Sequence, residues 1–418
     1  MTISRISIAA VLALAVALAL LPAALPPNVV GAMSSMLIAA LFALAFSLLV
    51  GQGGMLSFGH AAYFAVGCFA TVHAMQAVDA GTLRLPTPLL PLVGGLAALV
   101  VGTVAGFFAT LRSGVYFSMV TLAIAELFHA TAPSLQGLFG GESGISSMRQ
   151  PWAGIGFGSE VEVYYLVLAW VAASALALYL YTRTAFGRLT VALRENERRI
   201  AFLGYDVHRT KMVVFSVSSA FAGIAGGLLA VSNESANYLL FNMSYSANVV
   251  LFTYIGGVGT FMGPAIGAAA MTLFSHAVSD ITRQWLLYQG LIFIVVMMYA
   301  PAGIVGFVQQ QGGQMLRGEG PRWTHRLAML APMAVIAAAT VFLCELAGTV
   351  FSRDYQAQLA RTRNWEPVAL FGRAWSPDHA LTWIAPAAAL LAAGWLLYRI
   401  ARPRPLRAIV QSLQGAHA

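Results

Sequence analysis

Apolar runs of about 20 residues recur along the chain, separated by short polar or glycine-rich breaks. That is the length a helix needs to cross roughly 30 Å of hydrocarbon. The pattern predicts spans at roughly residues 6–26, 31–50, 60–80, 87–110, 114–132, 161–181, 212–231, 246–280 (as two shorter pieces), 286–308, 327–349 and 381–400. Period-two alternation is absent, and only helices or closed barrels satisfy the backbone in lipid. The chain therefore reads as an all-α polytopic membrane protein. About ten transmembrane helices fall in a core over residues 1–310, and about two in a C-terminal extension over 311–418. Residues 1–26 also carry the marks of a cleaved signal peptide, with Arg5 before the apolar run and Ala23 and Ala24 after it. The run is long for such a peptide and another span follows at once, which favours a retained first helix.

Composition agrees, with 59% hydrophobic and 9% charged residues and a mean hydropathy of +0.77. The net charge of +8 does not point to nucleic acid, because the basic residues cluster at the ends of spans. The positive-inside rule puts the 182–211 segment in the cytoplasm, with Arg112, Arg317 and the tail arginines 399, 402, 404 and 407 on the same side. The sparsely charged loop at about 133–160 then faces out. Cys68 and Cys344 each sit in an apolar span and read as small packed side chains.

One segment breaks the apolar pattern. "GRLTVALRENERRIAFLGYDVHRTKM", Gly187 to Met212, crowds charges of both signs at helical spacing. On a wheel Leu189, Ala192, Leu193, Asn196, Ile200 and Leu203 share one face, with Arg194, Glu195 and Arg198 opposite. The spacing predicts pairs from Glu195 to Arg199 and from Arg194 to Glu197. Gly204 fits a left-handed stop and Asp206 an N-cap of the next helix. A lipid-surface helix would select nearly pure Lys and Arg; the mixed signs favour docking of a soluble protein partner.

Other polar groups at membrane depth are candidates for a translocation path. Gly51, Gly53, Gly54 and Gly59 interrupt an apolar region together with Gln52 and Ser57, as a broken helix lining a path or as a tight packed loop. His60 and Tyr63 lie one turn apart, either facing that path or serving as internal hydrogen-bonders. Glu126, with Thr121 near one turn away, is an intramembrane acid that faces the bundle interior or pairs with His129 near the interface. Gly256, Gly257 and Pro264 predict a break between two short helices.

There is no Gly-x-x-x-x-Gly-Lys-Ser/Thr loop, His-Glu-x-x-His, Cys-x-x-Cys or Gly-x-Ser-x-Gly. No catalytic residue, metal ligand or bound cofactor is expected, and the chain does not read as an enzyme. Five stretches in order resemble the LivM-like permeases of ABC importers for branched-chain amino acids. They are "GQGGMLSFGHAAYFAVG" (51–67), "GVYFSMVTLAIAEL" (114–127), the coupling segment with Arg194, Asn196, Glu197, Leu203, Gly204, Tyr205, Lys211 and "FAGIAGG" (221–227), "IGGVGTFMGPAIGA" (255–268) and "QGLIFIVVMMYAPAGIVG" (289–306). The resemblance covers about 31–308 and stops near 310.

It implies a multi-pass permease of a bacterial-type inner membrane. A second related permease subunit, two cytoplasmic ATPases that bind the ATP, and an outer substrate-binding protein would accompany it. Arg194, Glu195, Asn196, Glu197, Arg198, Leu203 and Gly204 would contact the ATPase, and the cargo would be a branched-chain or other apolar amino acid. Urea or a short amide is the nearest alternative, an ion-driven secondary transporter a second, and a membrane enzyme a third.

Overall fold

The computed structural model describes residues 16–23, 25–154, 156–316 and 323–401, so most of the run predicted at 6–26, Arg317 and the tail arginines beyond 401 lie outside them. Helix α1 (Pro27–Ser47) starts on a proline, whose fixed φ suits a first turn. It is apolar on every side and buried nearly all round, as a central helix must be. It closes in a π-turn, Leu48–Gln52. An irregular stretch then leads to α2 (Ala61–Asp79), α3 (Leu90–Ala109) and α4 (Val115–Thr131).

Helix α5 (Glu160–Arg183) is capped by Ser159, whose side chain accepts from the Glu162 amide. Glu160 and Glu162 in its first turn and Arg183 in its last suit the helix dipole. Then come α6 (Ala185–Glu195), α7 (Glu197–Phe202) and α8 (Val207–Asn233). Strands β1 (Ile145–Ser146) and β2 (Ser235–Ala236) pair antiparallel. Helices α9 (Met243–Gly256), α10 (Gly263–Ser279), α11 (Trp285–Tyr299) and α12 (Gly303–Leu316) follow. The chain ends in α13 (Trp323–Val350), α14 (Arg353–Thr362), an antiparallel hairpin of β3 (Val368–Leu370) and β4 (Arg373–Trp375), and α15 (Ala380–Ala401).

Among the described residues seven helices are long and apolar enough to cross a membrane, or eight if the α11–α12 pair, bent by 43°, is one span. The predicted runs at 114–132 and 246–280 form shorter helices, α4 with 17 residues, α9 with 14 and α10 with 17. Fourteen residues rise only about 21 Å. The predicted break between α9 and α10 is present: Gly257 has φ 109°, which stops α9, and Pro264 sits in the first turn of α10.

The chain divides into two compact units. The first runs to Ala277 and adds Gln289–Gln309. Its centre is α8 packed on α2 and α3 across glycines. A methyl group at Gly226 would lie 1.9 Å from the Phe64 carbonyl oxygen, and one at Gly67 2.3 Å from that of Gly223. Small residues let backbones approach in this way where lipid offers no hydrophobic drive. The second unit holds Val278–Tyr288 and the chain from Gln310 on. There α13 packs against α15. Glu345 of α13 accepts from the hydroxyls of Tyr288 (2.6 Å) and Thr282 (2.5 Å). This carboxylate within an apolar span is satisfied locally, which is how such a group is tolerated.

Candidate functional site

The charged segment forms a two-helix bracket at the end of the first unit opposite β1–β2. The wheel predicted one continuous helix; the structure breaks it at Asn196, which leaves helical geometry (φ −160°, ψ 101°) and caps α7 by accepting from the Arg199 amide at 3.0 Å. Asparagine competes with a helix in this way through its own side chain. The break cancels both predicted pairs. Gly204 (φ 86°) ends the bracket and Asp206 caps α8 by accepting from the Arg209 amide, as predicted.

Three ties hold the bracket to the membrane helices. Arg194 donates to the Gly51 carbonyl at the end of the π-turn. Gly54 (φ 66°) makes room for that side chain, because a methyl there would meet Arg194 Cγ at 2.9 Å. Glu197 pairs with Lys211 Nζ at 2.7 Å and accepts from Ser113 Oγ at 3.1 Å. Lys211 in turn donates to Ser113 Oγ at 2.6 Å, and its side chain is only 3% exposed. Leu193 and Ile200 anchor the bracket's inner face. One bracket is thereby fastened to the end of α1, the α3–α4 turn and the start of α8.

The outer face presents Arg194, Glu195, Asn196, Arg198 and Arg199. Phe202 is 91% exposed, and Leu203 and Tyr205 stand beside it, also exposed. Leu203 shares the apolar face of the wheel with Leu193 and Ile200; in the structure it is the C-cap of α7 and is exposed, while those two are buried. An exposed aromatic and aliphatic patch rimmed by both charge signs has the composition of a protein-docking surface.

The path candidates are not all gathered in one place: Ser57, His60, Tyr63 and Thr121 lie in one buried region, and Gln52, Glu126 and Gly256 lie apart from it. The Gly51–Gly54 backbone serves the bracket, with Gln52 half-buried there. The irregular stretch behind it is packed inside the first unit. The Leu56 carbonyl accepts from Ser118 (2.5 Å), the Phe58 amide donates to Thr121 Oγ1 (3.3 Å) and the Ala61 amide donates to Ser246 Oγ (3.0 Å). Gly59 is needed because a methyl would lie 1.9 Å from the Thr121 carbonyl oxygen. This is the packed-loop arrangement, with its backbone groups met by protein.

Ser57, His60, Tyr63 and Thr121 are fully buried. The ring of His60 sits among Phe42, Phe46, Tyr63 and Phe215. Ser218 spends its proton on the Ala45 carbonyl at 2.6 Å, so His60 Nε2–H donates to Ser218 Oγ at 3.0 Å. His60 is an internal hydrogen-bonder here. Gly256 closes α9 onto α10, since a methyl would meet the Gly263 carbonyl oxygen at 1.9 Å.

Glu126 is different. Helix α4 buries Phe117, Ser118, Thr121 and Ala125 and exposes Tyr116, Met119, Ala123, Glu126 and Leu127. Its carboxylate therefore stands on an outward apolar face, about 8 Å from the helix end at 1.5 Å per residue. His129 stacks on Tyr238, with ring centroids 5.9 Å apart, instead of pairing with it.

The sequence reading missed Ser113 and the partnership of Lys211 with Glu197. A serine in an Arg-Ser-Gly turn carries no distinguishing local signal, and the lysine's partner is set by packing.

Residues 28–301 match the family described as branched-chain amino acid transport system / permease component. The high-affinity branched-chain amino acid transport system permease protein LivM of Escherichia coli K12 is 25% identical over 294 residues, 64% of this chain and 68% of that protein. The ribose import permease protein RbsC of Haemophilus influenzae is 26% identical over 230 residues, 52% of this chain and 68% of its own length. The xylose transport system permease protein XylH of Escherichia coli K12 is 31% identical over 115 residues, 26% of this chain and 29% of its own. No solved structure matches. The matched region runs from the start of α1 through α11 and holds the whole bracket with its three ties, and the chain belongs to this family of ABC-type transport permeases.

Proposed function

We propose that this chain is the membrane permease subunit of an ATP-driven importer in a bacterial-type inner membrane. Its cargo is a branched-chain or other apolar amino acid. The observation that carries the proposal is the bracket: an exposed docking face of mixed charge and aromatic character, wired to three membrane helices and accompanied by no ATP-binding loop. Of the assembly's two cytoplasmic ATPase subunits, one docks here on Arg194, Glu195, Arg198, Phe202 and Leu203. Their closing moves α6–α7, and the ties at Gly51, Ser113 and Lys211 carry that displacement to α1, α4 and α8. A ligand that binds two states with different affinity is what such coupling requires. A second related permease lies across the path from the outward face of α4, and an outer binding protein delivers the cargo.

Glu126 supports an amino acid over a sugar. An intramembrane carboxylate facing lipid is costly, so its face belongs against a partner or a watery path. There it attracts the ammonium group of a zwitterion, an attraction that ribose, xylose or urea would not use. Purified complex in proteoliposomes is expected to take up leucine on adding ATP and loaded binding protein. ATP-dependent uptake of a sugar or urea with none of leucine would overturn the substrate assignment.

The docking face predicts that the double variant Arg198→Glu, Phe202→Asp inserts normally but loses the ATPase subunits on affinity purification. Recovery of those subunits at wild-type yield would remove the bracket from the interface. Path lining predicts that, with Cys68 and Cys344 replaced by Ala, a cysteine at Glu126 reacts with water-soluble thiol reagents and one at the buried Ser57 does not. The reverse order of labelling would move the path to the 51–59 stretch.

A further inference from the structure

The connection between α13 and α15 lies beyond the matched region and carries an unusual turn. The hairpin β3–β4 closes through two residues, Phe371 (φ 52°) and Gly372 (φ 74°). Two positive φ values define the mirror-image turn that normally carries Asn-Gly. A bulky aromatic residue in left-handed geometry is an outlier that costs backbone energy. Phe371 is 70% exposed, so the cost is not recovered by packing within the chain.

The hairpin's depth says what it meets. Leu346 and Val350 of α13 form a buried cluster with Val368, against which Leu370, Tyr355 and Trp383 pack. Trp375 stacks edge-on against Phe342, with ring centroids 4.9 Å apart. Phe342 lies eight residues before the end of α13, or about 12 Å along its axis. The hairpin is thus folded back beside the terminal turns of a membrane-crossing helix rather than raised into solution. Three-residue strands with open edges are not tolerated in hydrocarbon, which leaves the headgroup boundary.

The adjoining ends of the two spans also expose apolar side chains. Phe351 at the end of α13 and Leu381 and Ile384 at the start of α15 are exposed. Trp365, Arg363 and Arg373 stand exposed in the same connection. Aromatic rings and arginines that reach toward phosphates are the side chains favoured at that boundary.

We propose that the α14–hairpin connection is an interfacial membrane anchor, with Phe371 and Phe351 inserted among the lipid headgroups of the leaflet that holds the α13 and α15 ends. The strained turn puts an aromatic side chain at the tip, where an asparagine would fold more easily but bind nothing.

The test uses the full chain in nanodiscs of phosphatidylcholine and phosphatidylglycerol, with Cys68 and Cys344 replaced by Ala. Spin labels go at Phe371→Cys, Phe351→Cys and, as a water-facing reference, Ala357→Cys on α14. Labels at 371 and 351 are expected to collide with oxygen more than with a water-soluble nickel chelate, and the label at 357 the reverse. A label at 371 that behaves like the one at 357 overturns the proposal. So does one that becomes shielded only when a partner permease or binding protein is added, which would make the tip a protein contact. The variant Phe371→Gly suits the turn's backbone and keeps the hairpin folded. It is expected to expose Arg373 to trypsin in nanodiscs where the native chain is protected; equal cleavage rates would also overturn the anchor.

Discussion

Replacement of Lys211 by Met is expected to leave the ATPase subunits bound while uncoupling ATP hydrolysis from transport. The lysine is buried where α7, the α3–α4 turn and α8 meet. Methionine keeps the length and apolar volume of the side chain but removes the charge that holds Glu197 and Ser113 together. Glu197 retains 43% exposure and can turn to water, so it is not stranded as an unpaired buried charge. The stability loss should then stay near 1.5–3 kcal/mol, the order of a hydrogen bond to a charged group. Coupling between sites is typically about 1–3 kcal/mol, or roughly 5–150-fold in the quantity coupled. Substrate moved per ATP hydrolysed, measured in proteoliposomes, should fall within that range. Lys211→Arg, which keeps the charge, should retain part of it. An unchanged ratio in the Met variant would show that displacement reaches the membrane by another route.

Gly226→Val is expected to abolish assembly of the first unit. A side chain there has nowhere to go. Its first carbon would sit 1.9 Å from the Phe64 carbonyl oxygen and 3.0 Å from the Cys68 amide nitrogen, both backbone atoms of α2. Overpacking typically costs about 1–3 kcal/mol where neighbours can repack. Here the obstacle is a helix backbone, so α8 and α2 must separate along their length. No monodisperse peak should appear on size exclusion after extraction from membranes. Gly290→Ala in α11 is the matched control, because nothing lies within 4 Å of its added methyl group. A Gly226→Val chain with native elution and heat stability would mean that α8 and α2 tolerate a wider approach than this packing allows.

What reads directly from the chain are features carried by contiguous residues. Span length and apolarity need only one segment each. So do the caps: Asp206 reaches an amide three residues on, and Gly204 adopts its own left-handed φ. The break after Gly257 is local as well. The family resemblance rests on the same kind of information, short blocks in order. Asn196 shows the boundary. Its cap is as local as that of Asp206, an amide three residues on, but an asparagine at that position suits a continuous helix and a new helix start alike.

The wiring of the site is not contiguous. Glu197 had a sequence neighbour at Arg194 and instead took Lys211, because packing α8 against the α3–α4 turn brings that ammonium and Ser113 to it. Arg194, left without that partner, found a carbonyl 143 residues earlier at Gly51. The glycines of 51–59 looked the same in sequence whether they lined a path or admitted close neighbours; in the structure the side chain of Arg194 lies against Gly54 and the backbone of α4 against Gly59. His60 and Glu126 are each one ionisable residue in an apolar run, and only the helix faces separate them, one enclosed by aromatic rings and the other turned outward. Local periodicity fixes which residues can face inward; which groups they meet there is a property of long-range packing, where each partner is chosen by the placement of every other helix.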